Sequence, residues 1–365
     1  MNTYPLEQLD LESAKKLQFR LVERIAAHFD GEAILQAGDY GLREDTGRPH
    51  TTARAEAVLA DFFGAQAACL VSGAGTGALR SILMAAMEPG EKLLLHQAPV
   101  YPTTLVTLKA MGLDLSYIDL NDLEAVRGFK VPDIHFALLQ HARQKIEDRY
   151  RLAEVIAALK ANQPDITIIV DDNYAALRVP HIGIQLGADV STFSLFKLLG
   201  PEGLGCALGP AWLVERIHKH NYSGGTQVQG TEALDGLRAL VYAPVALAIQ
   251  GEVVAEVSHR LNQGEVEGVR QASIANAQSR VILVELETDQ ARCVLEKSVQ
   301  YGAAGHPVGA ESRYEVVPLF YRISGTFREE NPQLADKMIR INPMRAGADL
   351  IIEILKKSLK ACQGG

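Results

Sequence analysis

Apolar positions recur at helical spacing from Leu11 to Phe29, which predicts an amphipathic helix near the start of the chain. A polar, glycine-containing segment follows from Gln36 to Thr52 and holds Asp39, Tyr40, Arg43, Arg48 and Pro49. From Thr51 the stretch TTARAEAVLADFFG predicts a second helix, with Gly64 suited to cap its end. The chain then alternates. AACLV reads as a strand, SGAGTG as a glycine loop and ALRSILMAAM as a helix. KLLLH, LSYIDL, HFALLQ, ITIIV and ADVSTFS read as further strands, with helices TTLVTLKAMG, NDLEAVRGF and LAEVIAALKA between the first four. Strands apolar along their whole length and alternating with helices predict a parallel sheet buried on both faces. After the Tyr222–Gly225 loop the pattern changes to a long helix, about Glu232 to Gln263. Strand RVILVELE, helix DQARCVLEKSVQ, strands YEVVPLFYRIS and KMIRINP and a last helix from about Gly347 complete it. The division this predicts is an N-terminal helix and arm over 1–50, a large α/β domain over 51–243 and a smaller α+β domain over 244–365.

Composition narrows the partners. The 365 residues are 47% hydrophobic and 22% charged, with a net charge of −8. An acidic pI near 5.7 disfavours nucleic acid and anionic membrane surfaces. No uninterrupted run of about 18 apolar residues predicts a membrane span, and the first residues lack the basic-then-apolar order of a signal peptide. Cys69, Cys206, Cys293 and Cys362 show no CxxC or zinc-like spacing, so the expectation is a reduced, cytoplasmic protein without a metal site.

Three stretches carry chemistry. SGAGTGA, Ser72 to Ala78, follows a strand and opens a helix, so its backbone amides and the helix dipole suit a phosphate. It also fits G-x-G-x-x-G/A through Gly73, Gly75 and Ala78, which keeps an NAD-binding Rossmann oxidoreductase open. That reading wants an acidic residue at the end of the second strand, where this chain has Leu95-His96-Gln97. In VDDNYA, Asp171 and Tyr174 follow a β-forming run, where a carboxylate faces the ligand crevice of a parallel sheet or simply caps a turn. In SLFKLLGPEGLG, Lys197 sits past a strand end between Phe196 and Leu198. Apolar neighbours make its charge costly and its amine a usable nucleophile, unless the side chain snorkels to water. Ser194 and Lys197 also match the S-x-x-K of penicillin-recognising serine hydrolases, but the companion S-D-N and K-T-G motifs are missing.

A phosphate loop, an aspartate with a tyrosine, and a lysine, in that order, resemble the fold-type-I pyridoxal-phosphate enzymes over nearly the whole chain. SLFKLLGPEGLG is similar to the lysine segment of the aminotransferase class V and cystathionine-synthase groups, and RPHTTARAEAVLADFFGAQAACLVSGAGTGAL to their entry helix and phosphate loop. The whole chain resembles the YhfS-like branch. The resemblance implies a three-layer, mainly parallel, aspartate-aminotransferase-like large domain with a smaller α+β domain at the C-terminal end. It implies pyridoxal 5'-phosphate held by Lys197 as a Schiff base, with Lys197 also moving the proton at Cα. Asp171 would pair with the ring nitrogen and Tyr174 with the phenolic oxygen. Gly73, Ala74, Gly75 and Thr76, with Ser194 and Ser191, would grip the phosphate. Tyr101 would stack on the ring, with His96 as the alternative. Arg340 would bind a substrate carboxylate, and Gln140 stands where relatives often have an asparagine. Tyr40 and Arg43 would enter the neighbouring subunit's phosphate site, which implies a homodimer with a shared active site. The implied reaction on an amino acid or 2-oxo acid is first transamination, and second β- or γ-elimination or replacement at a sulfur amino acid.

Overall fold

The computed structural model describes residues 2–223, 225–277, 279–307 and 311–363. Its larger sheet has seven strands: β1 (Ala67–Ser72), β2 (Lys92–His96), β3 (Asp114–Ile118), β4 (Phe136–Gln140), β5 (Thr167–Asp171), β6 (Val190–Ser194) and β7 (Leu204–Gly209). They lie in the order β1-β7-β6-β5-β4-β2-β3. The run from β6 to β3 is parallel, as the apolar strands predict. β7 departs from that expectation and runs antiparallel to both β1 and β6. The loop from Leu195 to Gly203 is too short for the helical crossover that a parallel return needs.

Among the described residues, eight helices accompany this sheet: α1 (Leu11–His28), α2 (His50–Phe63), α3 (Ala74–Ala86), α4 (Pro102–Ala110), α5 (Leu123–Gly128), α6 (Leu152–Asn162), α7 (Ala211–His220) and α8 (Gly230–Asn262). Gly64 ends α2 in the left-handed conformation expected of a cap, with φ +74°. Alternate strand residues divide between the two faces. Cys69, Leu93, Leu138, Ile169 and Val190 pack with α3, α4 and α7. Leu70, Phe193 and Leu208 pack with α1, α2 and α8, while Leu94, Leu139, Ile168 and Val170 pack with α5 and α6. The result is a three-layer α/β/α domain. The period of two that produces it also decides which polar side chains meet at the strand ends.

A second sheet is antiparallel, with β8 (Val269–Ala277), β9 (Ser279–Leu286), β10 (Leu319–Arg322) and β11 (Met338–Asn342) in the order β10-β11-β9-β8. α9 (Ala291–Gln300) and α11 (Ala348–Gln363) cover one face together with the end of α8, and the short α10 (Gly325–Glu330) follows β10. The other face meets Ile146 of the large domain. β8 is a strand that small and polar residues such as Gln271, Ser273 and Asn276 conceal from a hydrophobic pattern. The long strand expected over YEVVPLFYRIS shrinks to four residues, because Pro318 bars pairing before Leu319. α8 runs unbroken through Pro244, with Leu247 in the large core and Val254 onward in the small one.

The expectation of four reduced cysteines fails. Cys293 of α9 and Cys362 of α11 form a disulfide, joining helices packed side by side but 69 residues apart in the chain. Cys69 and Cys206 remain buried free thiols, as expected. α8 is long and apolar enough to cross a membrane, although no single uninterrupted run is. Half of that apolar window is buried within the protein, which makes it a core helix.

Candidate active site

The carboxyl ends of β5 and β6 bring the predicted polar residues together. Asp171 shares strand parity with Ile169, and Ser194 with Val190, so both fall on the face covered by α3. Asp171 is buried, and its Oδ1 accepts the Asn173 amide at 3.0 Å. Burial pushes its pKa up, against the lowering effects of that amide and of Lys197. Lys197 lies in a short 3₁₀ turn, Phe196–Leu198, immediately after β6. Its Nζ sits 3.7 Å from the centroid of the Tyr174 ring. Burial lowers the lysine's pKa, as its apolar neighbours predict, although Tyr101, Asp171 and Glu311 pull the other way. Tyr174 is buried too, and burial raises its phenol well above the ordinary value.

The phosphate loop is the first turn of α3. Gly73 caps it with φ +95°, a conformation that favours glycine. A Cβ on Gly75 would overlap the Asn173 side chain, so this glycine lets the loop close onto the end of β5. Of the predicted amides, Ala74 is already committed, donating to Gly203 O at 2.7 Å. Gly75 and Thr76 occupy the turn in which helix amides have no intrahelical acceptor.

Ser191 is a correction. It shares parity with Phe193, on the opposite face from Ser194. Its Oγ donates to Asp172 Oδ2 at 2.6 Å and accepts from the Ile184 amide at 2.8 Å, so it serves the fold behind the sheet. Gln140 pairs in register with Asp171 and lines one cavity with Tyr101, His96 and Gln144. His96 is fully engaged there, with Nε2 against Asp148 at 3.0 Å and Nδ1 accepting the Leu120 amide at 3.1 Å. Arg340, on β11, is buried with its guanidinium 3.9 Å over the Tyr321 ring and near enough to Tyr174 to oppose the rise in its pKa. Tyr40 lies outside the cluster, exposed on the N-terminal arm, where it accepts a hydrogen bond from Thr231 at 2.8 Å. Arg43 pairs with Asp39 beside it.

Reading the sequence missed Asn173, Arg178 and Glu311. Arg178 and Glu311 form a buried ion pair of 2.5 Å between residues 133 positions apart, for which no local signal exists. It also missed a grouping of Glu56, Cys69 and His218, whose ligand-type atoms lie within 4.8 Å of one another. Arg48 and the Leu70 amide already satisfy that carboxylate, at 2.6 and 2.8 Å.

The residues fit pyridoxal phosphate. Among the described residues, Tyr174 Oη, Ser194 Oγ and Asn173 Oδ1 are buried without a hydrogen-bond partner. Such groups are costly unless a ligand pairs with them. A phosphate requires helix-end amides and a hydroxyl, a pyridine nitrogen requires a carboxylate, and an aldehyde requires an amine. Lys197 lies against Tyr174 and near Asp171, and Asn173, bonded to Asp171, packs on Gly75 of the phosphate loop.

Comparison with known proteins agrees. Residues 43–270 match the family described as Cys/Met metabolism PLP-dependent enzyme, and residues 255–355 match the YhfS-like C-terminal domain. The chain is 49% identical over 362 residues to the uncharacterized protein YhfS of Escherichia coli (strain K12), covering 98% of this chain and 99% of that one. The crystal structure of the pyridoxal-5'-phosphate-dependent protein YhfS from Escherichia coli superposes with a TM-score of 0.95, over 99% of this chain and 100% of that one. L-methionine gamma-lyase of Pseudomonas putida is 30% identical over 211 residues, 54% of this chain and 49% of that one. CalE6, a methionine gamma lyase from Micromonospora echinospora, shares the fold at 17% identity with a TM-score of 0.71, over 94% of this chain and 98% of that one.

Proposed function

As this chain belongs to the Cys/Met metabolism PLP-dependent enzymes, we propose that it is a lyase eliminating the β or γ substituent of a sulfur amino acid. The enzyme is pyridoxal-phosphate-dependent. The family match over residues 43–270 and the 30% identity to a methionine gamma-lyase support elimination over the transamination ranked first from sequence.

When bound, the cofactor supplies an electron sink beside the substrate's Cα. Lys197 holds it, and the same amine, made easier to deprotonate by burial, then moves the proton at Cα. Asp171 holds a proton at the ring nitrogen. Tyr174 Oη bonds the phenolic oxygen, and the Gly75 and Thr76 amides with Ser194 bind the phosphate. Arg340 binds the substrate carboxylate through its planar fork. Tyr101 would stack on the ring, with His96 and Gln140 lining the same cavity. The catalytic unit is a homodimer in which the exposed Tyr40 and Arg43 reach the partner's phosphate site.

The test is a panel of L-cystathionine, L-methionine, L-homocysteine and L-cysteine offered to the holoenzyme. Elimination releases thiol, ammonia and 2-oxo acid in equal amounts. Formation of 2-oxo acid only when a second 2-oxo acid is added, with neither thiol nor ammonia released, would overturn the lyase reading in favour of transamination.

A further inference from the structure

Arg178 joins three parts of the molecule. Its Nη2 donates to the backbone carbonyl of Lys197 at 3.1 Å and to Glu311 Oε2 at 2.5 Å. Its own carbonyl accepts the Leu9 amide at 2.8 Å. Both side chains are buried, Arg178 at 7% and Glu311 at 1% exposure. Glu311 is held in turn by Gln250 Nε2 at 3.1 Å and by Asn342 at the end of β11. Glu311 itself has φ +89°, a conformation rarely adopted by residues with side chains. Leu177 (φ +59°) precedes Arg178, Leu199 (φ +67°) follows the lysine turn, and Met344 (φ +53°) follows Asn342. Left-handed backbone therefore lies at or within two residues of Arg178, Lys197, Glu311 and Asn342, and strain of that kind persists only where the surroundings enforce it.

We propose that Arg178 is a positioning residue for Lys197: it fixes the lysine's peptide, and Glu311, reaching from the small domain, holds Arg178 in place, so that the lysine is seated only when the two domains are docked. The Lys197 turn is three residues long and cannot fix its own carbonyl by helical bonding. A charged donor from outside does so, and a charged donor buried this deeply needs a carboxylate. This inference rests on Lys197 being the residue that carries the cofactor.

An ion pair that merely glued the domains would change stability and nothing else. A positioning pair beside the lysine must also change the chromophore. The groups facing Lys197 are Tyr101, Asp171, Tyr174, Glu311 and Arg178, and Arg345 and Tyr321 face Glu311. Removing the cation with Arg178→Met favours the protonated chromophore, so the pH midpoint of the holoenzyme's visible band rises by roughly half to one unit. Removing the anion with Glu311→Gln lowers it by a similar amount. The double variant returns the midpoint close to wild type, yet kcat stays down about 10- to 100-fold, because the lysine carbonyl has lost its donor. Arg178→Lys, which keeps a charge and a donor, recovers most of the rate.

Midpoints unmoved in both single variants, or wild-type kcat in the double variant, would overturn the proposal. If Arg178→Met does not fold, Glu311→Gln alone carries the midpoint test, and Arg178→Lys, whose retained charge leaves the midpoint near wild type, carries the rate test. Borohydride reduction of the wild-type holoenzyme followed by peptide mass analysis checks the premise separately. An adduct away from Lys197 sinks the cofactor reading, whereas an adduct on Lys197 with unmoved midpoints sinks only the role of Arg178.

Discussion

Asp171 and Asp172 are neighbours at the end of one strand, and they do opposite things. Asp171 faces α3 among side chains that lack partners, and its charge is disfavoured by burial. Asp172 faces the other way and is satisfied by the protein: His141 Nδ1 at 2.6 Å, Ser191 Oγ at 2.6 Å and the Gly183 amide at 3.1 and 3.2 Å. One face of the strand end leaves buried polar groups unpaired among the described residues, at a cost to the unliganded fold. The other is a closed network that stabilises the fold and has nothing left to offer a ligand. Both residues are buried aspartates. The unmet hydrogen-bonding capacity marks the functional side.

The largest effect should come from the ligand side. Lys197→Ala is expected to lower turnover by about 10⁴-fold or more, since it removes both the covalent anchor and the base at Cα. Its apoprotein should melt at or above the wild-type temperature, because a half-buried ammonium is gone. Asp171→Asn should cost about 10²- to 10³-fold in kcat and weaken cofactor binding. Its effect on the apoprotein has the opposite sign. With a raised pKa, the Asp171 contribution to stability is complete below the ordinary value near 3.8 and is lost as pH rises through the shifted one. At pH 7 the asparagine variant should therefore melt above wild-type apoprotein, and by less of a margin at pH 4. A lower melting temperature at pH 7 would show that Asp171 belongs to the fold as Asp172 does.

Asp172→Asn should reverse that pattern. It breaks a buried network and leaves His141 and Ser191 poorly matched, at a cost of about 2–4 kcal/mol in unfolding free energy. The visible spectrum of folded holoenzyme should be unchanged. Urea denaturation and an absorbance scan on the same sample separate the two effects, and a displaced visible band would erase the distinction between the faces.

The ligand side was legible from sequence because its parts are local. A strand followed by SGAGTG, a strand followed by Asp171, and a strand followed by Lys197 each announce themselves within a few residues, and the parallel sheet brings their ends to one edge. What escaped is what depends on distance or on geometry within the turn. Glu311 reaches Arg178 across 133 positions, and Cys293 reaches Cys362 across 69. The Ala74 amide looks available in the motif, but β7 runs close enough to take it through Gly203. Ser191 is a different kind of miss, since strand parity alone sets it opposite Ser194.

That serine pair repeats the aspartate comparison with a smaller effect. Ser194 is buried with an unpartnered hydroxyl among the described residues, whereas Ser191 both donates and accepts. Ser194→Ala should therefore leave apoprotein stability within about 0.5 kcal/mol and weaken cofactor binding several-fold, because a phosphate contact is lost. Ser191→Ala should cost about 1–2 kcal/mol, since it strips one donor from the Asp172 carboxylate and one acceptor from the Ile184 amide, and should leave cofactor affinity as it was. Cofactor titration by fluorescence and denaturant melts on both variants give four numbers that must cross in sign of effect. If Ser191→Ala weakens the cofactor as much as Ser194→Ala does, the two sides of the sheet are coupled through β6 and cannot be assigned separately to fold and function.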